Sequence, residues 1–113
     1  MTINHVFTGL PVADFEKARP WYERLLGSPP DLLPHATEAA WRLAGDLCWI
    51  YVVEDADRAG RALLTVLVDD LDGIVAGLTE RGVATESLEP VGGMVRIAVH
   101  DPDGNRITYA APA

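Results

Sequence analysis

The stretch Leu10–Gly27, LPVADFEKARPWYERLLG, has a counterpart at Val66–Val83, VLVDDLDGIVAGLTERGV, 56 residues further along the chain. In both stretches an apolar segment runs into an aspartate, an apolar stripe and a closing glycine. A repeat of this kind determines the whole architecture, so it takes precedence over any single element. The 113-residue chain is therefore predicted to consist of two similar halves.

Each copy predicts a strand followed by a helix. Asp14 can cap the first helix by accepting hydrogen bonds from free backbone amides, and Gly27 ends this helix. Asp70 or Asp72 caps the second helix, and Gly82 stands where a left-handed closing residue is needed. The apolar stripes suit one buried face of each helix. They consist of Phe15, Trp21, Tyr22, Leu25 and Leu26 in the first copy and Leu71, Ile74, Val75 and Leu78 in the second.

Three strands are predicted after each helix, so that each half is strand, helix and three strands. Their ranges are Asp31–Leu33, Glu38–Ala44 and Leu47–Val53, then Thr85–Leu88, Met94–His100 and Arg106–Ala110. Gly45-Asp46 and Asp103-Gly104 are hairpin signals, because both pairs tolerate positive backbone angles. Pro20 lacks an amide donor and predicts a kink or a short turn before Trp21.

One domain over residues 1–113 is expected, since a chain of this length can bury a core. Module one covers about residues 1–55 and module two about 62–113. The polar, glycine-containing stretch Glu54–Arg61 is interpreted as a solvated linker rather than a catalytic segment.

Composition excludes several classes of function. The net charge of -8, with nine lysines and arginines, opposes binding to nucleic acid. No apolar run is long enough to predict a membrane span, and MTINHVFTGL lacks the pattern of a secretory signal, which predicts a cytoplasmic location. The single cysteine, Cys48, is interpreted as a buried and inert thiol.

The segment His100–Tyr109, HDPDGNRITY, completes a recognisable set of motifs together with the two repeated stretches. Its DPDGN portion predicts a turn, because proline and glycine preset its backbone angles. In order and spacing, the three motifs resemble the vicinal-oxygen-chelate superfamily, which includes glyoxalase I, extradiol dioxygenases, fosfomycin-resistance transferases and bleomycin-binding proteins. The resemblance implies an α+β fold in which two tandem βαβββ modules form a cup-shaped, partly open barrel sheet with the helices outside. It also implies a homodimer.

Metal-using members of that superfamily place four ligands in the cup, usually histidine and glutamate. Matching their motifs onto this chain puts Phe7, Trp49, Leu63 and Thr108 at those positions. One hydroxyl among four side chains is a poor donor set for a divalent ion, so neither a metal nor another cofactor is predicted. A register error of two residues would put His5 at the first position, which would still supply only one histidine.

Alternation along the strands predicts which side chains line the cup. The predicted ligand-binding residues are Phe7, Leu47, Trp49, Tyr51, Leu63, Thr65 and Thr108. They describe an apolar and aromatic pocket with a few hydroxyls, as is common for small-molecule sites. Arg96 and Arg106 are open to two interpretations, pairing with a ligand carboxylate or with surface carboxylates.

The first hypothesis is a metal-independent protein that binds a small hydrophobic or aromatic molecule. The alternative is a metal-independent isomerase or lyase, for which Tyr51, His5 or His100 could act as acid or base; no catalytic residue is assigned. A metal-dependent lyase or dioxygenase is the least favoured hypothesis.

Overall fold

The computed structural model describes residues 2–113. Its elements follow the order β1 Val6–Val12, α1 Phe15–Leu26, β2 Leu32–His35, β3 Glu38–Ala44, β4 Cys48–Glu54, β5 Leu63–Leu67, α2 Leu71–Glu80, β6 Glu86–Val91, β7 Met94–His100 and β8 Arg106–Pro112. Each half is a strand, a helix and three strands. The predicted α+β fold of two βαβββ modules is confirmed.

The strands form two four-stranded sheets, one in each module. Their orders are β1-β4-β3-β2 and β5-β8-β7-β6. The first strand of each module pairs in parallel with the last, and the other pairs are antiparallel. In the described part of the chain no strand of one sheet pairs with a strand of the other, so the sheets are open and do not close into a barrel.

The helix ends follow the predicted chemistry. Asp14 accepts a hydrogen bond from the Lys17 amide at 3.3 Å, and Gly27 closes α1 with a φ of 73°. Asp70 caps α2 by accepting from the Gly73 amide at 2.9 Å. These contacts satisfy amides that have no partner within the helix.

Several predicted bounds differ from the structure by one to three residues, and two of these differences have a clear local cause. Helix α1 continues through Pro20, so no short turn interrupts it before Trp21. Strand β2 starts at Leu32 rather than Asp31, because the Asp31 carboxylate accepts from the Arg42 amide at 2.8 Å just before the strand. Strand β6 extends to Val91, because two glycines with positive φ make the hairpin turn that follows it.

The two sheets share one core on their helix-bearing faces. This core includes Leu10 and Val12 of β1, Trp41 of β3, and Ile107 and Tyr109 of β8. Phe7 and Gly9 lie on the opposite face of β1, as alternation predicts. We call the faces turned away from the helices the open faces. No helix within residues 2–113 is long and apolar enough to cross a membrane.

Candidate functional site

The open face of the first sheet carries an aromatic cluster around Trp49. The Phe7 ring stacks on the Trp49 ring, with centroids 5.5 Å apart, because the two residues are neighbours in β1 and β4. The edge of His5 approaches from one side, and the Arg42 guanidinium lies 5.0 Å from the Trp49 centroid. Trp49 is therefore buried by its own neighbours, whereas Phe7 is 49% exposed. A ligand would meet Phe7 before Trp49.

A cavity of about 450 Å³ lies beside this cluster on the same face. It is lined by Gly9, Pro11, Tyr51, Val53, Asp55, Arg58, Arg61 and Ala62. The Tyr51 ring lies across Gly9, and a Cβ at that position would come within 2.6 Å of the ring. The missing side chain at Gly9 thus allows the tyrosine to form one wall of the cavity.

The opposite wall comes from the connection between the modules. Arg58 donates to the Asp55 carboxylate at 3.0 Å, and Arg61 lies three residues further on. The sequence predicts a solvated linker here, and the Arg58 side chain is largely exposed. The sequence does not predict that this linker lines the cavity. Two cations close together in an acidic chain are the signal that could have identified it.

A second cavity of about 370 Å³ lies between the modules. Its lining includes Val6, Thr8, Cys48 and Trp49 from the first module and the β5 segment Leu64–Leu67 from the second. Cys48 is half-buried, not fully buried as predicted.

The structure does not bring the seven predicted ligand-binding residues into one cavity. Tyr51 lines the first cavity, and Trp49 and Thr65 line the second. Phe7, Leu47 and Leu63 are exposed. Thr108 is buried and lies next to Thr65 in the pairing of β5 with β8.

The four positions that match family metal ligands do not suit a divalent ion. Phe7 and Trp49 stack on each other, and Leu63 is an exposed aliphatic residue. The Thr108 hydroxyl is the single oxygen donor of the four, and a divalent ion needs several nitrogen, oxygen or sulfur donors. Among residues 2–113 there is no group of three or more histidine, cysteine, aspartate or glutamate side chains that could hold a metal ion.

His5 and His100, the two histidines proposed above as possible acids or bases, have local partners. His5 Nδ1 donates to the Asp46 carbonyl oxygen at 2.6 Å, at the edge of the aromatic cluster. His100 lies 3.8 Å from the Glu86 carboxylate on an exposed part of the second sheet. Neither residue lines the two cavities described above.

The two arginines of the second module behave differently. Arg96 donates to the Glu89 carbonyl oxygen through two nitrogens, at 2.9 and 3.0 Å. Arg106 lies on the open face of the second sheet, and within the described residues its buried Nε has no hydrogen-bond partner. Within residues 2–113 neither side chain pairs with a surface carboxylate, which was one of the two interpretations.

The groups with a shifted pKa lie in the core. Burial raises the pKa of Tyr22, and the hydrogen bond from its hydroxyl to Asp101, 2.7 Å long, raises it further. Burial also raises the pKa of Tyr109. Both tyrosines belong to the core that the two helix-bearing faces share.

The fold and its motifs define a glyoxalase-like protein. The family model of the Glyoxalase/Bleomycin resistance protein/Dioxygenase superfamily matches residues 2–109, and the chain belongs to this superfamily. No curated protein matches the sequence.

Solved structures agree with that assignment. A glyoxalase/bleomycin resistance protein from Catenulispora acidiphila is 37% identical, with a TM-score of 0.89 over 96% of this chain and 98% of that one. TnmS3, an antibiotic binding protein from a Streptomyces species, is 28% identical, with a TM-score of 0.77 over 100% of this chain and 99% of that one. A glyoxalase/bleomycin resistance protein from a Streptomyces species is 26% identical, with a TM-score of 0.71 over 93% and 97% of the two chains.

Proposed function

We propose that this protein binds a small hydrophobic or aromatic molecule, without a metal, on the open face of its first sheet. The observation that carries the proposal is the cavity between Tyr51 and the linker, with the half-exposed Phe7 ring on the same face. A concave, largely apolar wall with a few polar groups is the usual composition of a small-molecule site. The similarity to an antibiotic binding protein supports a small-molecule ligand.

The aromatic residues supply the expected binding surface. The Tyr51 ring is held across Gly9 and is half-buried, so one side of it faces the cavity. Stacking of an aromatic ligand on such a ring contributes about 0.5–1.5 kcal/mol beyond the burial of area. Trp49 contributes to this binding surface indirectly, because its ring stacks on the Phe7 ring and holds it in place.

The alternative function is a metal-independent isomerase or lyase in the same cavity. A hydroxyl and a carboxyl group are present there, on Tyr51 and Asp55. Asp55, however, accepts hydrogen bonds from both the backbone and the side chain of Arg58. A carboxylate engaged in this way is a poor general base, which favours binding over catalysis.

A fluorescence titration with neutral phenylnaphthylamine tests the proposal. We expect saturable binding that EDTA does not change and that Tyr51→Ala weakens about twofold to tenfold, the range that corresponds to one lost stacking contact. Val91→Ala, at an exposed site on β6, is the matched control and should bind as the native protein does. Absence of saturable binding, or binding that requires a metal, would overturn the proposal.

A second copy of the chain is the proposed partner, with the cytoplasm as the predicted location. Strands β1 and β5 are both edge strands of open sheets, and unpaired strand edges readily pair with another chain. Leu63 and Leu67 on β5 are 72% and 70% exposed. A twofold contact between two copies through β5 would cover these leucines.

Sedimentation equilibrium tests the dimer. We expect a mass of twice the 12.2 kDa chain for the native protein and a shift to monomer for Leu67→Glu. Val91→Glu adds the same charge at another exposed strand residue and should leave the mass unchanged. A native protein that sediments as a monomer would contradict the proposal.

A further inference from the structure

We propose that the ligand of the Tyr51 cavity carries an anionic group, such as a carboxylate, sulfonate or phosphate, that Arg61 binds. This inference rests on the proposed function and names the chemical class of its ligand. Its observations are the charge of the linker wall, the way the linker is held, and the contrast between the two walls.

The linker wall holds one cation without a compensating carboxylate. Asp55 and Arg58 form an ion pair with a separation of 3.0 Å, so their charges offset each other. Arg61 lines the same cavity, and its guanidinium has no hydrogen bond or ion pair to any residue in the range 2–113. Arg61 is exposed, so its guanidinium is accessible to a ligand in this cavity.

The linker backbone is held at both ends, which places the Arg61 main chain beside the cavity. The Asp55 amide donates to the Val12 carbonyl oxygen at 2.9 Å. The Ala62 amide, next to Arg61, donates to Asn105 Oδ1 at 2.9 Å. A backbone that is already ordered lowers the entropic cost of binding.

The opposite wall is apolar. It consists of Gly9, Pro11, Tyr51 and Val53 from β1 and β4. A molecule that contacts both walls therefore needs a flat apolar part against Tyr51 and an anionic group towards the linker. The planar guanidinium suits this role, because it donates two parallel hydrogen bonds to a carboxylate, sulfonate or phosphate.

Two fluorescent probes that share one ring system test this inference. Anilinonaphthalene sulfonate carries the anionic group, and phenylnaphthylamine lacks it. We expect the native protein to bind the sulfonate about twofold to fivefold more tightly, which is the range for a solvent-exposed ion pair. Raising the salt concentration should reduce this preference, since screening weakens charge pairing.

Three variants assign the preference to Arg61. Arg61→Gln should remove it without changing the binding of the neutral probe, and Arg61→Lys should restore part of it. Arg24→Gln removes the same charge from an exposed position on α1 and should retain the full preference. Gly9→Val, which forces Tyr51 to move, should weaken the binding of both probes.

The outcomes separate this inference from the proposed function. If the two probes bind equally well, the inference of an anionic ligand is wrong. It is also wrong if Arg61→Gln and Arg24→Gln lose the preference for the sulfonate to the same extent. Both results are compatible with the proposed aromatic site. Sulfonate binding that persists in Gly9→Val overturns it as well, because the probe then binds elsewhere. If neither probe binds saturably, the proposed function fails together with the inference.

Discussion

The turns before the last strand of each module occupy the same place in the repeat but make different contacts. The first turn, Gly45-Asp46, is exposed, and its partners belong to its own module. The Asp46 carbonyl oxygen accepts from His5 and Trp49, and its carboxylate pairs with Arg42 at 3.1 Å. This turn closes a hairpin and supports the aromatic cluster.

The second turn, Asp101–Asn105, crosses into the other module. Asn105 Nδ2 donates to the Pro11 carbonyl oxygen at 2.6 Å, and Asp101 accepts from the Tyr22 hydroxyl at 2.7 Å. Both Asp101 and Asn105 are buried, and buried polar groups are stable only when they are hydrogen-bonded. The comparison teaches that the most recognisable motif of this chain joins the modules, and that through Ala62 it also anchors the linker beside the proposed ligand cavity.

The comparison predicts its largest effect at Asn105. Asn105→Ala removes the side chain that bonds to Pro11, Ala62 and Asp101, and it leaves buried backbone groups without partners. We expect the free energy of unfolding to fall by about 3 kcal/mol. Urea unfolding measures this, with Asn4→Ala at an exposed position as the control. A loss no larger than that of the control would show that the turn does not join the modules.

The next effect concerns the contact between the linker and the second turn. Gly60 has a φ of 83°, and a Cβ at this position would collide with the backbone of Asp103. Gly82 has a similar φ of 78° but open space around it. We expect Gly60→Ala to destabilise the fold by about 2 kcal/mol and Gly82→Ala by about 1 kcal/mol. Thermal unfolding of both variants measures the difference, and equal losses would mean that the linker is not packed on the turn.

Tyr22 connects the second turn to the core, and its shifted pKa predicts that the stability of the fold depends on pH. Because the folded protein raises the pKa of Tyr22, the folded state disfavours its phenolate, whereas the unfolded chain ionises near pH 10. The stabilisation is fully present below about pH 10 and is lost progressively as the pH rises from there, by about 1.4 kcal/mol per pH unit for each such group.

Tyr22→Phe tests this dependence. At neutral pH we expect a loss of about 1.5 kcal/mol, from the missing hydrogen bond to Asp101. Above about pH 10 the variant should lose stability less steeply than the native protein, and Tyr109→Phe should act in the same direction because burial also raises the pKa of Tyr109. Urea unfolding at a series of pH values measures both slopes. Parallel slopes in native and variant proteins would contradict the assignment.

The fold could be predicted because its signals are local. An aspartate before each helix and a glycine after it mark the ends, and alternation marks the face of each strand. Strands β2 and β6 were misplaced at their ends because they lie at sheet edges. All four residues of Leu32–His35 are exposed, so no alternation marks this strand.

The site was predicted less completely, because it depends on contacts between distant segments. The sequence indicates that Trp49 and Phe7 share a face, but not that His5 and Arg42 cover Trp49. It does not indicate that the linker folds over β1 and brings Arg61 to the cavity. That arrangement requires the bond between Ala62 and Asn105, which are 43 residues apart.

The smallest effect belongs to the first turn, at Asp46. Asp46→Ala removes an ion pair with Arg42 in which both side chains are more than half exposed. Exposed pairs contribute little, because water screens them and two flexible side chains must be ordered, so we expect a loss of at most about 0.5 kcal/mol. The carbonyl oxygen that accepts from His5 and Trp49 remains, so both hydrogen bonds from the aromatic cluster to this turn should be kept. Urea unfolding measures the loss. If the free energy of unfolding fell as far as in Asn105→Ala, the prediction would be wrong, because the exposed turn would then stabilise the protein as strongly as the buried one.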